Sequence, residues 1–131
     1  MTRKQAREEA FILIFEKEIN GESVDDILEL ATLVRDIEPD DYVKTAFKGV
    51  FDNLVEIDNL ISVNLKGWTV KRLSKTVLAV LRLAIFEMKY IDEIPVSVSI
   101  NEAVDLTKKY AGVDDAHFVN GLLGTVSRAD A

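Results

Sequence analysis

The sequence predicts an all-α chain of six or seven helices. Three observations carry this expectation. Apolar residues recur with helical rather than strand spacing along nearly the whole chain. Residues suited to capping, Thr2, Ser23, Ser74 and Asp114, precede the apolar runs. Strict alternation is confined to Val96-Ser97-Val98-Ser99-Ile100, which leads straight into a helical pattern. With 131 residues, 48% of them hydrophobic, the chain can build one compact domain, or two small helical halves sharing a core.

The first helix is expected over residues 3–19. Thr2 and Gln5 have capping-box spacing, so a hydroxyl and an amide can satisfy free N–H groups at the helix start. Ala6, Ala10, Phe11, Leu13, Ile14 and Phe15 form a wide apolar face. Asn20-Gly21 ends it, because glycine accepts the left-handed conformation past a helix end. A second helix follows Ser23 and runs to about Val34. Pro39 suits the first turn of a third helix, whose pattern continues from Tyr42 to about Asn64, with Gly67 as a candidate cap. Ser74 caps a fourth helix, 75–90, apolar almost all round and therefore expected at the centre. Ile94-Pro95 makes a turn, a fifth helix covers about 98–110, and Asp114 caps a sixth over about 115–128. Gly121 and Gly124 fall inside that last pattern, where they would permit close helix packing.

Charge is distributed unevenly. The net charge is −7. Arg3, Lys4 and Arg7 open the chain without an acid among them, while residues 8–60 carry 15 acidic and 4 basic side chains. Lys66, Lys71, Arg72 and Lys75 flank Trp68, the one tryptophan. Such a surface is not generally adhesive to nucleic acid; an anionic polymer would be held at one place. Basic residues at a helix N-terminus oppose its dipole, which hints at another use for Arg3, Lys4 and Arg7. Arg3 and Arg7 share a face, with Lys4 beside Arg7, an arrangement able to straddle phosphates. It is equally the pattern of a solvated helix end.

Enzymatic chemistry is poorly supplied. There is no cysteine, so no disulfide, thiolate metal site or cysteine nucleophile, in keeping with a cytosolic setting. His117 is the single histidine, and Asp114-Asp115-Ala116-His117 reads as a helix start rather than a metal site. No phosphate-binding glycine loop or nucleophile turn occurs. Neither a metal nor a cofactor is expected. The N-terminus does not read as a secretory signal, no uninterrupted apolar window is long enough to span a bilayer, and the expected location is cytoplasmic. Three polar residues in apolar text, Asn101, Glu102 and Asn120, require a buried network or a binding surface. Arg82, in the most apolar helix, needs a partner, with Glu87, Glu102 or carbonyls as candidates.

Taken together, these pieces resemble one family. Ala6-Arg7-Glu8, Trp68-x-x-x-Arg72-Leu73 and Val80-Leu81-Arg82-Leu83-Ala84-Ile85-Phe86-Glu87-Met88 are followed by Ile94-Pro95. Ile100-Asn101-Glu102-Ala103-Val104-Asp105-Leu106 with Lys108, and Phe118-Val119-Asn120-Gly121-Leu122-Leu123, complete the set. In this order the chain resembles the NusB family of bacterial transcription antitermination factors over nearly its whole length. The resemblance implies an all-α fold in two helical subdomains, about residues 1–65 and 66–131. It implies no enzyme but an RNA-binding adaptor that pairs with NusE, a small-subunit ribosomal protein. The pair would bind single-stranded boxA-type RNA in nascent ribosomal RNA transcripts and join the RNA polymerase antitermination complex.

By position, the resemblance assigns Arg3, Lys4, Arg7, His117 and Phe118 to RNA, and Phe15 and Val77 to the NusE face. The chain departs from the family in three ways. Its basic segment is short. Val77 stands where an acidic residue is usual, and His117 where a lysine is common. A helical protein-interaction adaptor with little intrinsic RNA binding is the alternative. The apolar face around Phe11 and Phe15 is open to closing on a second copy, as a homodimer, or on a partner. The same module precedes some ribosomal-RNA cytosine methyltransferases, but 131 residues leave no room for that second domain.

Overall fold

The computed structural model describes residues 1–35, 40–67 and 69–129. Pro39 and Trp68, expected at a helix start and in a basic cluster, lie outside the described residues. Among the described residues there are seven α-helices and no strand. These are α1 (Arg3–Asn20), α2 (Val24–Arg35), α3 (Asp41–Asp52), α4 (Leu54–Val63), α5 (Lys75–Tyr90), α6 (Val96–Tyr110) and α7 (Val113–Ala129). A short 3-10 turn, Val70–Arg72, precedes α5.

Helix α1 starts as its sequence dictates. The Gln5 N–H donates to Thr2 Oγ1 at 3.1 Å, and the Thr2 N–H donates to Gln5 Oε1 at 2.8 Å. It stops at Gly21, whose φ of 71° is left-handed and whose N–H donates to the Lys17 carbonyl. Ser23 accepts from the Asp26 N–H at the start of α2, and Ser74 from the Val77 N–H at the start of α5.

Three sequence expectations are corrected here. The single third helix is two. The Asn53 N–H and its side-chain amide both donate to the Gly49 carbonyl, closing α3, and α4 restarts from Asn53. Asparagine competes with helical hydrogen bonding in this way, a local effect that apolar spacing does not register. Gly67 accordingly does not cap a helix, since α4 already ends at Val63 with Asn64 as its cap. Helix α7 begins before Asp114, so Asp114 and Asp115 occupy its first turn, where carboxylates favour the positive end of the dipole.

The buried cluster runs through every α-helix, with α5 at its centre. Eleven residues of α5, Val77 through Glu87, are buried. The glycine that permits close helix packing is Gly49 on α3, not Gly121 or Gly124. A Cβ at Gly49 would collide with the Phe86 ring of α5, whereas one at Gly121 meets nothing within 4 Å and one at Gly124 meets only the flexible end of Arg128. Phe11 is 3% exposed, packed against Phe15 and Tyr110. Phe11 is therefore packed within the chain, while Phe15 on the same face stays half-buried.

Candidate nucleic-acid interface

The core contains two charged clasps, and the first explains Arg7. Its guanidinium lies inside the α1 stripe with Ala6, Ala10, Phe11 and Ile14 and is 4% exposed. Arg7 Nε donates to Glu87 Oε2 at 2.6 Å, and Nη2 donates to Glu87 Oε1 at 3.2 Å. Ser99 of α6 donates its hydroxyl to Glu87 Oε1 at 2.8 Å, and the Tyr42 hydroxyl of α3 donates to Oε2. One fully buried carboxylate on α5 thus ties together α1, α3 and α6. Burial disfavours the charged guanidinium, but the Glu87 hydrogen bonds and charge outweigh it and raise the Arg7 pKa. Burial first, then the Glu87 charge, pushes the Tyr42 phenol far above its usual range.

The second clasp corrects the expectation for Arg82. Its partners are Asp58 and Glu18, not Glu87 or Glu102. Nε and Nη2 donate to the two Asp58 oxygens, both at 2.9 Å, and Nη1 donates to Glu18 Oε2 at 2.8 Å. Arg82 and Glu87 are five positions apart, which places them about 140° apart around the helix. Arg82 therefore joins α5 to α4 and α1 rather than to α6. Lys75 completes this cluster at 3.2 Å from Glu18.

The expected RNA residues fall into three situations. Arg3 is exposed, its guanidinium carbon 4.6 Å from the centroid of the Tyr42 ring, so a ring that is itself fixed by Glu87 positions a surface cation. Lys4 is exposed but paired, donating to Glu102 Oε2 at 3.1 Å and lying 3.7 Å from Asp105. The Glu102 hydrogen bond and charge raise its pKa. Arg7 is withdrawn into the core and only its edge lines the depression beside Lys4 and Glu102. One turn along, Glu8 accepts from Lys109 at 2.8 Å and from the Tyr110 hydroxyl at 2.6 Å. Those two bonds, Lys109 first, hold the Glu8 carboxyl below its usual range.

His117 is exposed and Phe118 is 36% exposed, both in the first turns of α7. Phe118 lines a depression of about 380 Å³ with Arg72, Leu73, Ser74, Val77 and Asp115. Val77 itself is 3% exposed. Its side chain is buried beneath the depression it lines with Phe118. Phe15 is half-buried on α1 beside Phe11.

The two ends do not coincide. Helices α1 and α5 run antiparallel, since Arg7 meets Glu87 while Glu18 meets Arg82 and Lys75. Arg3 lies one turn beyond the Arg7–Glu87 level, and Phe118 lies at the level of Val77, ten residues earlier on α5. At 1.5 Å per residue, the basic end and the aromatic end stand roughly 20 Å apart along the axis. They are two exposed sites at separate levels rather than one patch. The polar residues in apolar text resolve accordingly. Asn101 and Asn120 are exposed and Glu102 faces Lys4, so they belong to a surface, while the buried polar network centres on Glu87.

The comparisons with known proteins agree with this architecture. The NusB family profile matches residues 4–128. This chain belongs to the NusB family. It is 42% identical to the transcription antitermination protein NusB of Clostridium botulinum (strain Loch Maree / Type A3), over 95% of this chain and 98% of that relative. It is 38% identical to the protein of the same name from Listeria monocytogenes serotype 4a (strain HCC23), over 99% of each. Among solved structures it resembles T. maritima NusB at a TM-score of 0.86 and 33% identity, covering 98% of this chain and 92% of that one. It also matches a crystal structure of the antitermination factors NusB and NusE in complex with dsRNA, at a TM-score of 0.86 and 28% identity, over 97% and 96% of the two chains. Among the described residues no helix is long and apolar enough to cross a membrane.

Proposed function

We propose that this NusB-family chain is a cytoplasmic RNA-binding adaptor. It pairs with NusE and holds single-stranded boxA-type RNA in nascent ribosomal RNA transcripts, and with NusE it joins the RNA polymerase antitermination complex. What supports the RNA part is the exposure of two ends: Arg3 and Lys4 at the start of α1, His117 and Phe118 at the start of α7. Cations at one end fix phosphates, and an accessible ring at the other stacks on a base. Stacking requires an unpaired base, which favours single strands over duplex. NusE would sit against Phe15 and reach the Val77 depression, where it would border the RNA because Phe118 lines the same depression. In this function the two helical halves, about 1–65 and 66–131, act as one unit, joined by the Glu87 and Arg82 clasps.

The solved NusB–NusE complex is described as containing dsRNA. Titrating this protein, with NusE, against a boxA strand and against the same strand annealed to its complement tests the choice. Tighter binding to the single strand is expected; equal or tighter binding to duplex would defeat the stacking role. One observation favours the adaptor alternative. Of three N-terminal cations, Arg7 is buried and Lys4 is paired, which leaves intrinsic RNA affinity modest. Loss of all RNA binding on omitting NusE would support it.

A further inference from the structure

Lys4 is not an unencumbered phosphate ligand. Its side chain is 64% exposed, yet two carboxylates of α6 already occupy the surroundings of its ammonium, Glu102 at 3.1 Å and Asp105 at 3.7 Å. Both carboxylates face Lys4 in a depression that Arg7, Glu8, Lys108 and Lys109 also line. Glu102 is also held in position: its Oε2 lies 4.0 Å from Arg7 Nη1, and Arg7 is fixed by Glu87. On the next turn the pairing is balanced, Lys109 against Glu8.

We propose that Glu102 and Asp105 are affinity-setting residues that compete intramolecularly with RNA phosphate for Lys4. This rests on the RNA reading of the α1 end and adds a regulatory element to it. A phosphate arriving at Lys4 must displace the Glu102 hydrogen bond and approach Asp105. The competitor is tethered to α6, so it does not diffuse away as a released counterion does. Phosphate contacts carry no sequence information. Suppressing them therefore lowers the grip on every RNA by the same factor. Base stacking at Phe118, some 20 Å along the helix axis, is left to decide which strands stay bound together with the partner.

The test is a double-mutant cycle. Asp105→Asn and Glu102→Gln/Asp105→Asn are made in the wild-type and in the Lys4→Met background. Each is titrated, with NusE present, with a boxA strand and with an unstructured oligouridine across a salt series. In the wild-type background both RNAs should bind about two- to fivefold tighter, the range an exposed ion pair supports. The salt exponent should steepen by up to about 0.7, the value for one further phosphate neutralised on a single strand. In the Lys4→Met background the gain should vanish. Unchanged affinity in the wild-type background would overturn the proposal. So would a gain that persists without Lys4, which would mean a general net-charge effect. Asp105, exposed and away from the core, provides a readout even where Glu102→Gln perturbs folding. If the unaltered protein binds neither RNA with NusE present, the RNA reading itself falls. If it binds and the amide variants gain nothing, only this inference falls.

Discussion

Replacing Arg7 by alanine separates a scaffold role from an RNA role. The substitution removes the cation paired with a carboxylate that has no solvent access. Glu87 would keep the Tyr42 and Ser99 hydroxyls, two neutral donors, against a full buried negative charge. Breaking a buried pair from one side costs about 3–5 kcal/mol. For a chain of this size that corresponds to a fall of about 10–25 °C in Tm. It is also a large share of the roughly 5–15 kcal/mol that holds a typical domain folded. Thermal unfolding followed by circular dichroism measures it. RNA titration well below the melting range, normalised to the folded fraction, should then show little direct loss. Replacing both partners, as Arg7→Met with Glu87→Leu, should recover part of the stability because no buried charge is stranded. An Arg7→Ala variant that melts within a few degrees of wild type, yet loses RNA affinity and salt dependence, would refute the assignment of Arg7 to the core.

Arg82→Ala should cost less, about 2–3 kcal/mol, because its partners Asp58 and Glu18 remain about a quarter exposed and can be rehydrated; a Tm loss equal to that of Arg7→Ala would contradict this ranking. Phe118→Ala should weaken single-strand binding by about 1–3 kcal/mol with little change in Tm or salt slope; a large Tm loss would place the ring in the core instead. Burial raises the Glu18 pKa, but Arg82 and Lys75 outweigh it, so the folded value lies below the ordinary 4.5. Its stabilising contribution is therefore present above that value and lost as pH falls through the depressed one. Tm should drop below about pH 4.5, and Glu18→Gln should flatten that acid limb; an unchanged limb would show that Glu18 does not carry it.

The helices were legible because apolar spacing and capping residues are local properties. Thr2 with Gln5, Ser74 ahead of Val77, and the all-round apolar run of α5 each need only neighbours in sequence. The break at Asn53 was not legible, since the 3.6-residue pattern continues across it while a side-chain amide ends the helix. Among the candidate site residues, Arg3, Lys4 and Arg7 stand out as a basic cluster, but their three different environments do not. The signal that separates them is present: Arg7 stands in register with Ala10, Phe11 and Ile14, inside the buried stripe, and a lone Glu87 in the most apolar helix requires a buried cation. Pairing Arg7 with Glu87 needs the antiparallel packing of α1 on α5, which joins residues 80 positions apart. Glu102 is conspicuous as a polar residue in apolar text, but its partner Lys4 lies 98 positions away. Asp58 and Glu18 look like ordinary solvated acids until α5 is placed between them.

The most direct test of the RNA reading is a salt-dependent titration of a boxA strand with the protein and NusE together, comparing wild type with Arg3→Ala/Lys4→Ala. The double variant should fold normally, since both side chains are exposed. It should bind more weakly, with a salt exponent nearer zero by roughly 0.7 for each phosphate no longer neutralised. Equal affinity and an equal salt exponent in the two proteins would contradict the assignment of this end of α1 to RNA.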